Sequence, residues 1–118
     1  MAGGFRIKRV QEDPSADDGR RVLVDRLWPR GISKERAHLD EWAKEVAPSD
    51  ELRRWYHQDP EHRRDEFAER YSAELESDEW RGAVDGLRAQ AAKQTVTLLT
   101  ATKDVEHSHV HVLLRHLK

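Results

Sequence analysis

Hydrophobic and polar positions along the chain switch between strand spacing and helix spacing. An alternating run at residues 5–10 predicts a first strand, and the run at 20–27, with three consecutive aliphatic residues at its centre, predicts a second. The β-branched and nearly continuous apolar run at 95–101 is typical of a strand covered on both faces. These three segments predict the strands of one sheet.

Between the predicted strands, apolar residues recur at helical spacing. Ser33 is a typical N-cap, and a helix is predicted over 33–47 because apolar residues follow Leu39 at i+3, i+4 and i+7. Pro48 ends it. Three further helices are predicted to start near Ser49, Asp59 and Ser77 or Asp78, and a last one carries Val110, Leu113, Leu114 and Leu117.

The succession of strands and helices predicts an α/β fold. We expect one compact domain over residues 1–118, with a small parallel or mixed sheet of three to four strands flanked by helices. A length of 118 residues suits a single domain, and the sequence contains no internal repeat, low-complexity segment or interdomain linker.

Composition narrows the possible chemistry. The chain has no cysteine, which excludes disulfides, zinc–thiolate sites and thiol catalysis. No apolar run approaches the roughly 20 residues that cross a membrane, and the first residues lack the apolar stretch of a signal peptide. We therefore expect no membrane partner and a cytoplasmic location.

The charges are unevenly distributed, although the net charge is only −2. Residues 20–36 carry six basic and two acidic side chains, whereas residues 37–92 carry eight basic and fifteen acidic ones. A basic patch on an acidic body indicates either a localised anion site or a solvated charged face.

Polar side chains cluster where two of the predicted strands end. In an open α/β sheet, ligands bind beyond the carboxyl ends of parallel strands, so two neighbouring ends would form one rim. The end of the strand at 22–27 carries Asp25, Arg26, Trp28 and Arg30, with Lys34 beyond them. The end of the strand at 95–101 carries Thr100, Thr102, Lys103 and Asp104 and leads to His107.

The basic groups at this rim suit an anion. Arginine presents a planar, permanently charged fork to phosphate or carboxylate, and we assign Arg26, Arg30, Lys34 and Lys103 to ligand binding. The unpaired N–H groups at the start of the predicted 33–47 helix would add to them. Trp28 supplies a flat wall for a ring or, on the alternative interpretation, plugs the core beside a rigid turn.

The candidate catalytic groups are Asp25 and Asp104 as general bases and His107 as a proton carrier. Asp25 has a second interpretation, as the partner of an arginine. On a helix, Asp104, His107 and His111 would lie within about 60° of one another, which is compatible with a metal site. No further carboxylate or His-Glu-x-x-His motif supports one, so we predict neither a metal nor another cofactor.

Two stretches of the sequence are distinctive. One is DGRRVLVDRLWPRGISKERAHLDEWAKEVAPSDELRRWY, which contains the signature Val-Asp-Arg-Leu-Trp-Pro-Arg-Gly, and the other is TVTLLTATKDVEHSHVHVLL. Both closely resemble the YeaO-like branch of the domain of unknown function 488 family. The resemblance covers nearly the whole chain and implies a small cytosolic bacterial α/β protein of unknown function. The matching motif residues are Asp25, Arg26, Trp28, Pro29, Arg30, Gly31, Lys34, Trp42, Lys103, Asp104 and His107.

The second stretch departs from the wider family, whose pattern there is similar to Cys-x-Glu…Cys-His-Arg. Thr100 and Thr102 stand in place of the first cysteine and the glutamate. Ser108 and Val110 stand in place of the second cysteine and the arginine, while His109 is retained. Any thiol chemistry of that pattern therefore does not transfer to this chain.

The leading hypothesis is a protein that binds a phosphorylated or carboxylated small molecule at the ends of strands 22–27 and 95–101. It would act either as a binding protein or as a transferase or hydrolase, although a phosphate-loop glycine pattern and a nucleophile motif are both missing. The alternative is a non-enzymatic module that binds nucleic acid or an acidic protein through the basic patch at 20–36.

Overall fold

The computed structural model describes residues 4–103 and 108–117. Within these ranges it contains a four-stranded sheet and five α-helices, which confirms the expected α/β fold. The strands are β1 (Gly4–Arg9), β2 (Arg20–Leu23), β3 (Glu41–Trp42) and β4 (Thr95–Thr100). The helices are α1 (Lys34–Ala37), α2 (Asp50–His57), α3 (Pro60–Glu76), α4 (Asp78–Ala91) and α5 (His109–Leu117), with short 3-10 helices at Ala16–Asp18 and Lys44–Val46.

All of these strands run parallel, in the spatial order β1-β4-β2-β3. β4 lies at the centre, where Leu98 is paired with Ile7 of β1 on one side and with Val22 of β2 on the other. β2 and β4 are therefore parallel neighbours, which is the arrangement that brings the two polar strand ends to one rim.

The sheet is covered on both faces. Val22 and Leu98 belong to the main core, which they form with apolar residues of α2, α3, α4 and α5. Leu23 and Leu99 face the other way, into a smaller cluster beneath α1 and the loops around it. Consecutive strand residues alternate between the two clusters because successive side chains point to opposite faces of a sheet. The continuous hydrophobicity of β4 is thus explained.

The prediction of one helix over residues 33–47 is wrong. Ser33 does cap a helix, since its hydroxyl accepts the Arg36 N–H, but α1 lasts a single turn. It ends at His38, which adopts a left-handed conformation with φ of 49°. The chain then extends, and Glu41–Trp42 joins the sheet beside β2.

The buried side chain of Arg21 explains why α1 ends early. Its guanidinium donates to the carbonyl oxygens of Ala37 (2.9 Å) and His38 (3.2 Å), acceptors that a longer helix would use itself. Beyond this point Trp42 packs in the smaller cluster and Val46 in the main core. The apparent helical stripe is therefore divided between the two sides of the sheet.

A buried ion cluster holds Arg21 in place. The carboxylate of Asp18, which is fully buried, accepts hydrogen bonds from Arg21 Nη1 (2.5 Å), Lys8 Nζ (3.1 Å) and the Ser15 N–H (3.0 Å). Burial by itself raises the pKa of Asp18, but these bonds outweigh it and keep the pKa below the ordinary value of 3.8. The charge of Arg21 is thereby neutralised where it meets the end of α1.

The longest described helix, α3, has 17 residues and many charged side chains. In the part of the chain that the structure describes, no helix combines the length and the apolar character needed to cross a membrane.

Gly19→Ala should destabilise the protein strongly. Gly19 has φ of +62°, and a Cβ there would lie 2.2 Å from the carbonyl oxygen of Thr95, so strain and a clash both oppose alanine. We expect the free energy of unfolding to fall by about 3 kcal/mol, measured by urea denaturation. Gly82→Ala in α4 is the matched control, because a Cβ there meets nothing within 4 Å. It should stabilise the protein by about 0.5–1 kcal/mol. A Gly19→Ala variant as stable as wild type would contradict this account of the turn.

Candidate functional site

A cavity of about 500 Å³ opens at the carboxyl ends of β2 and β4. Its lining consists of residues 25–30 and 100–102 at the ends of these strands, of Ser108 and His109, and of residues of α2 and α3. This is the position at which open α/β sheets bind their ligands.

The cavity begins where the hydrogen-bond ladder between β2 and β4 stops. The Val24 N–H still donates to the Leu99 carbonyl (3.0 Å), and the parallel pattern would next pair the Ala101 N–H with the Val24 carbonyl. Instead, the Ala101 N–H donates to Asp25 Oδ2 (2.8 Å), and the Val24 carbonyl accepts from His109 Nε2 (3.0 Å). Two side chains thus take the place of one ladder bond, which is why β2 is shorter than the predicted strand at 20–27.

Asp25 is the centre of this arrangement. Its Oδ1 accepts the Thr100 hydroxyl (2.7 Å) and lies 3.3 Å from His109 Nε2, while its backbone carbonyl accepts the indole N–H of Trp42 (2.8 Å). Both neighbours of His109 Nε2 are acceptors, so this nitrogen carries a hydrogen and donates. Among the described residues, the side chain that contacts the Asp25 carboxylate most closely besides Thr100 is therefore a histidine and not the arginine of the alternative interpretation.

These surroundings lower the pKa of Asp25. Burial by itself raises the pKa of Asp25. The interaction with His109 and the hydrogen bonds from Ala101 and Thr100 outweigh burial, so the pKa lies below the ordinary 3.8. A carboxylate held in its ionised form by several donors is a weak base. The catalytic role of Asp25 stays a prediction, and its contacts favour a structural one.

Arg26 lines the cavity but is engaged with the protein itself. Its Nε donates to the Pro48 carbonyl (2.9 Å) and lies 3.7 Å from Asp50 Oδ1. Asp50 also pairs with Arg53, whose Nη2 lies 3.6 Å from the same oxygen. One carboxylate thus offsets part of the charge of two cavity arginines.

Trp28 both packs in the interior and lines the cavity, while its contact with a ligand stays a prediction. Its indole N–H donates to the Ile32 carbonyl (2.7 Å), and its ring meets Trp42 edge-on at 5.4 Å between centroids. It packs against the smaller hydrophobic cluster, yet it also lines the cavity. Pro29 beside it is buried, and Gly31 has φ of +80°, so the Trp-Pro-Arg-Gly segment is a rigid corner that presents Arg30 to solvent.

Arg30 lies in the cavity lining, is exposed, and has no hydrogen bond or ion pair within residues 4–103 and 108–117. The side chains of Lys34 and Lys103 are likewise exposed, but they do not line the cavity. The structure therefore brings Asp25, Arg26, Trp28 and Arg30 together and leaves the two lysines outside this group.

Two predicted catalytic residues, Asp104 and His107, lie outside the described residues. His111, which the metal hypothesis grouped with them, is exposed on α5. Within the described ranges, no three histidine, aspartate or glutamate side chains lie together as a metal site would require.

The sequence reasoning missed the wall that α2 and α3 contribute. Arg53, Tyr56 and His57 of α2 line the cavity with Arg64 and Phe67 of α3. Phe67 also belongs to the main core and Tyr56 packs against it, with their rings stacked at 4.3 Å between centroids. The i, i+3, i+4 spacing of the α2 residues places them on one helix face, and this was the available signal.

Asp25→Asn should reduce stability at neutral pH by about 2 kcal/mol, the typical value for losing a hydrogen bond to a charged group. The folded-state pKa is lowered, so the stabilisation is fully present above the ordinary 3.8 and is lost as the pH falls through the folded value. The gap between variant and wild type should therefore narrow when urea unfolding is repeated at about pH 3. Asp65→Asn, an exposed position on α3, is the control and should change little at either pH. A gap that does not depend on pH would rule out the ionised carboxylate as its source.

The comparisons with known proteins agree on the family. The family model described as the inactive DUF488-N3 subclade matches residues 4–118. The uncharacterized protein Rv3073c of Mycobacterium tuberculosis (strain ATCC 25618 / H37Rv) is 51% identical over 108 residues, which cover 92% of this chain and 88% of that protein. The uncharacterized protein YeaO of Escherichia coli (strain K12) is 44% identical over 109 residues, which cover 92% of each. No solved structure matches the chain. The predicted family is thus confirmed, and the chain belongs to the DUF488 family together with YeaO.

Proposed function

We propose that the protein binds a small phosphorylated or carboxylated molecule in the cavity at the ends of β2 and β4. The observation that carries this proposal is the charge of the lining. Among the described residues, the cavity is lined by one carboxylate, that of Asp25, and by four arginines, Arg26, Arg30, Arg53 and Arg64. Asp25 is already bonded to His109 and two other donors, so the arginine charge is left in excess, and an anion would be attracted.

Arg30 and Arg64 are the arginines that we assign to the anion. Arg26 and Arg53 share Asp50, whereas Arg30 and Arg64 are exposed and have no ionic partner within the described part of the chain. They come from different elements, Arg30 from the corner after β2 and Arg64 from α3, and both belong to the cavity lining. An anion in the cavity would supply their guanidinium groups with an acceptor.

We propose binding without turnover. Asp25 is a poor base because its hydrogen-bond donors lower its pKa, and the chain has no thiol. The family model that matches the chain is described as inactive, which supports the same conclusion. The catalytic roles of Asp104 and His107 stay predictions, as do ligand binding by Lys34 and Lys103 and the cytoplasmic location.

The alternative, a nucleic-acid or acidic-protein interface at residues 20–36, has less support. Arg21 is buried against Asp18, and Arg20 is paired with Glu41 at 2.9 Å. Arg21 is therefore not available to a large polyanion, and Glu41 offsets part of the charge of Arg20, so the basic surface that such a partner needs is reduced.

A thermal-shift screen of wild type, Arg30→Ala and Arg64→Ala tests the proposal. The panel holds phosphate, sulfate, nucleotides, sugar phosphates and dicarboxylates, since a ligand at a hundred times its Kd adds about 2.7 kcal/mol of stability. Each variant should bind the active compound about tenfold more weakly, because it loses a charge-assisted hydrogen bond. Both variants should melt like wild type without ligand, since both side chains are exposed.

Arg54→Ala is the matched control, because Arg54 is an exposed arginine on α2 that does not line the cavity. It should bind as wild type does. An equal loss of ligand affinity in Arg30→Ala, Arg64→Ala and Arg54→Ala would indicate a general effect of net charge. Binding of single-stranded DNA that weakens steeply with salt and is indifferent to Arg30 and Arg64 would favour the alternative function.

A further inference from the structure

We infer that the ligand carries a flat aromatic body beside its anionic group, as an aryl phosphate or aryl carboxylate does. This inference rests on the proposed function and narrows it. It excludes inorganic anions and sugar phosphates as the preferred ligands, because these have no apolar surface to place against the cavity.

The first support is the apolar character of the lining. Although the cavity has charged groups, most of its exposed lining is apolar. Tyr56 is partly exposed there and Pro60 is exposed, while the buried Phe67 stacks on the Tyr56 ring with planes that differ by 28° and holds it in place. Such a surface gains free energy when an apolar body covers it, and a fully hydrated anion would leave it in water.

The second support is Leu27. It is 60% exposed, and within the described residues it is the large hydrophobic side chain that is left exposed. A single exposed leucine needs no explanation by itself. Leu27, however, lies in the cavity lining between Arg26 and Trp28, so it extends the apolar surface of the cavity outward.

The third support is the pairing of arginine with rings in this protein. The guanidinium groups of Arg63 and Arg70 lie 4.8 Å and 4.3 Å from the centroid of the Trp55 ring. In the cavity, Arg30 and Arg64 have no ring partner of this kind among the described residues. An aromatic anion would give them both an acceptor and a π face.

Calorimetric titration of the full chain with matched pairs of compounds tests the inference. Phenyl phosphate is compared with inorganic phosphate, and benzoate with acetate, at constant ionic strength. We expect each aromatic compound to bind at least about tenfold more tightly than its small counterpart, as expected when a ring is buried. Neutral benzyl alcohol should bind more weakly than either aromatic anion.

Two variants separate the inference from the proposed function. Leu27→Asn removes apolar lining at an exposed position, so it should weaken the binding of phenyl phosphate by at least about threefold and leave the binding of inorganic phosphate unchanged. Arg64→Ala should weaken the binding of both compounds, and Arg54→Ala should weaken the binding of neither. Because Leu27 and Arg64 are exposed, both proteins should fold, and their melting temperatures without ligand verify this.

Each contrary result has a distinct meaning. Equal affinities for phosphate and phenyl phosphate, both reduced by Arg64→Ala, would overturn the aromatic inference and leave the anion site intact. Benzyl alcohol binding as tightly as phenyl phosphate would overturn the anionic requirement and with it the proposed function. No binding of any compound, or binding unaffected by both variants, would overturn both proposals for this cavity.

Discussion

One hydrogen bond that the sheet does not make determines the arrangement of the site. The Ala101 N–H and the Val24 carbonyl are the next pair in the parallel ladder, and each is taken instead by a side chain, Asp25 in one case and His109 in the other. This exchange of hydrogen-bond partners satisfies both backbone groups, ends the pairing of β2 with β4, and attaches the start of α5 to the sheet. It also engages the one carboxylate in the described lining of the cavity, where four arginines outnumber it.

A second carboxylate, that of Asp18, has the corresponding role before the start of β2. Asp18 neutralises Arg21, and Arg21 then occupies the carbonyls of Ala37 and His38 and ends α1 after one turn. The chain is thereby released to form β3 beside β2, and Trp42 comes within reach of the Asp25 carbonyl. The two carboxylates are thus connected through β2 and its neighbour, and each has its pKa lowered by the donors it organises.

The features that the sequence predicted are those encoded locally. Strands β1, β2 and β4 and the caps at Ser33 and Ser49 depend on neighbouring residues, and the shared rim follows from parallel strands, so these features were predictable from the sequence pattern, whereas the two-residue β3 was not. The prediction of a helix over 33–47 was wrong because a spacing of i, i+3, i+4, i+7 from Leu39 also fits a chain whose residues pack first in one of the two hydrophobic clusters and then in the other. The contact of Arg21 with the Ala37 carbonyl favours this second arrangement. The wall formed by α2 and α3 was missed for a similar reason, since a helix face does not reveal which part of the sheet it will cover.

The positions at which the chain departs from the wider family pattern bear on what the cavity can do. Thr100, in place of the first cysteine, donates its hydroxyl to Asp25, and Ser108, in place of the second, accepts the Val110 N–H in the first turn of α5. Both positions therefore contribute to holding the rim together in this chain. The retained His109 is likewise occupied, with the Val24 carbonyl and Asp25. Thr100, Ser108 and His109 are thus bonded within the protein, whereas the exposed Arg30 and Arg64 are not, and this contrast is what supports the proposal of anion binding made above.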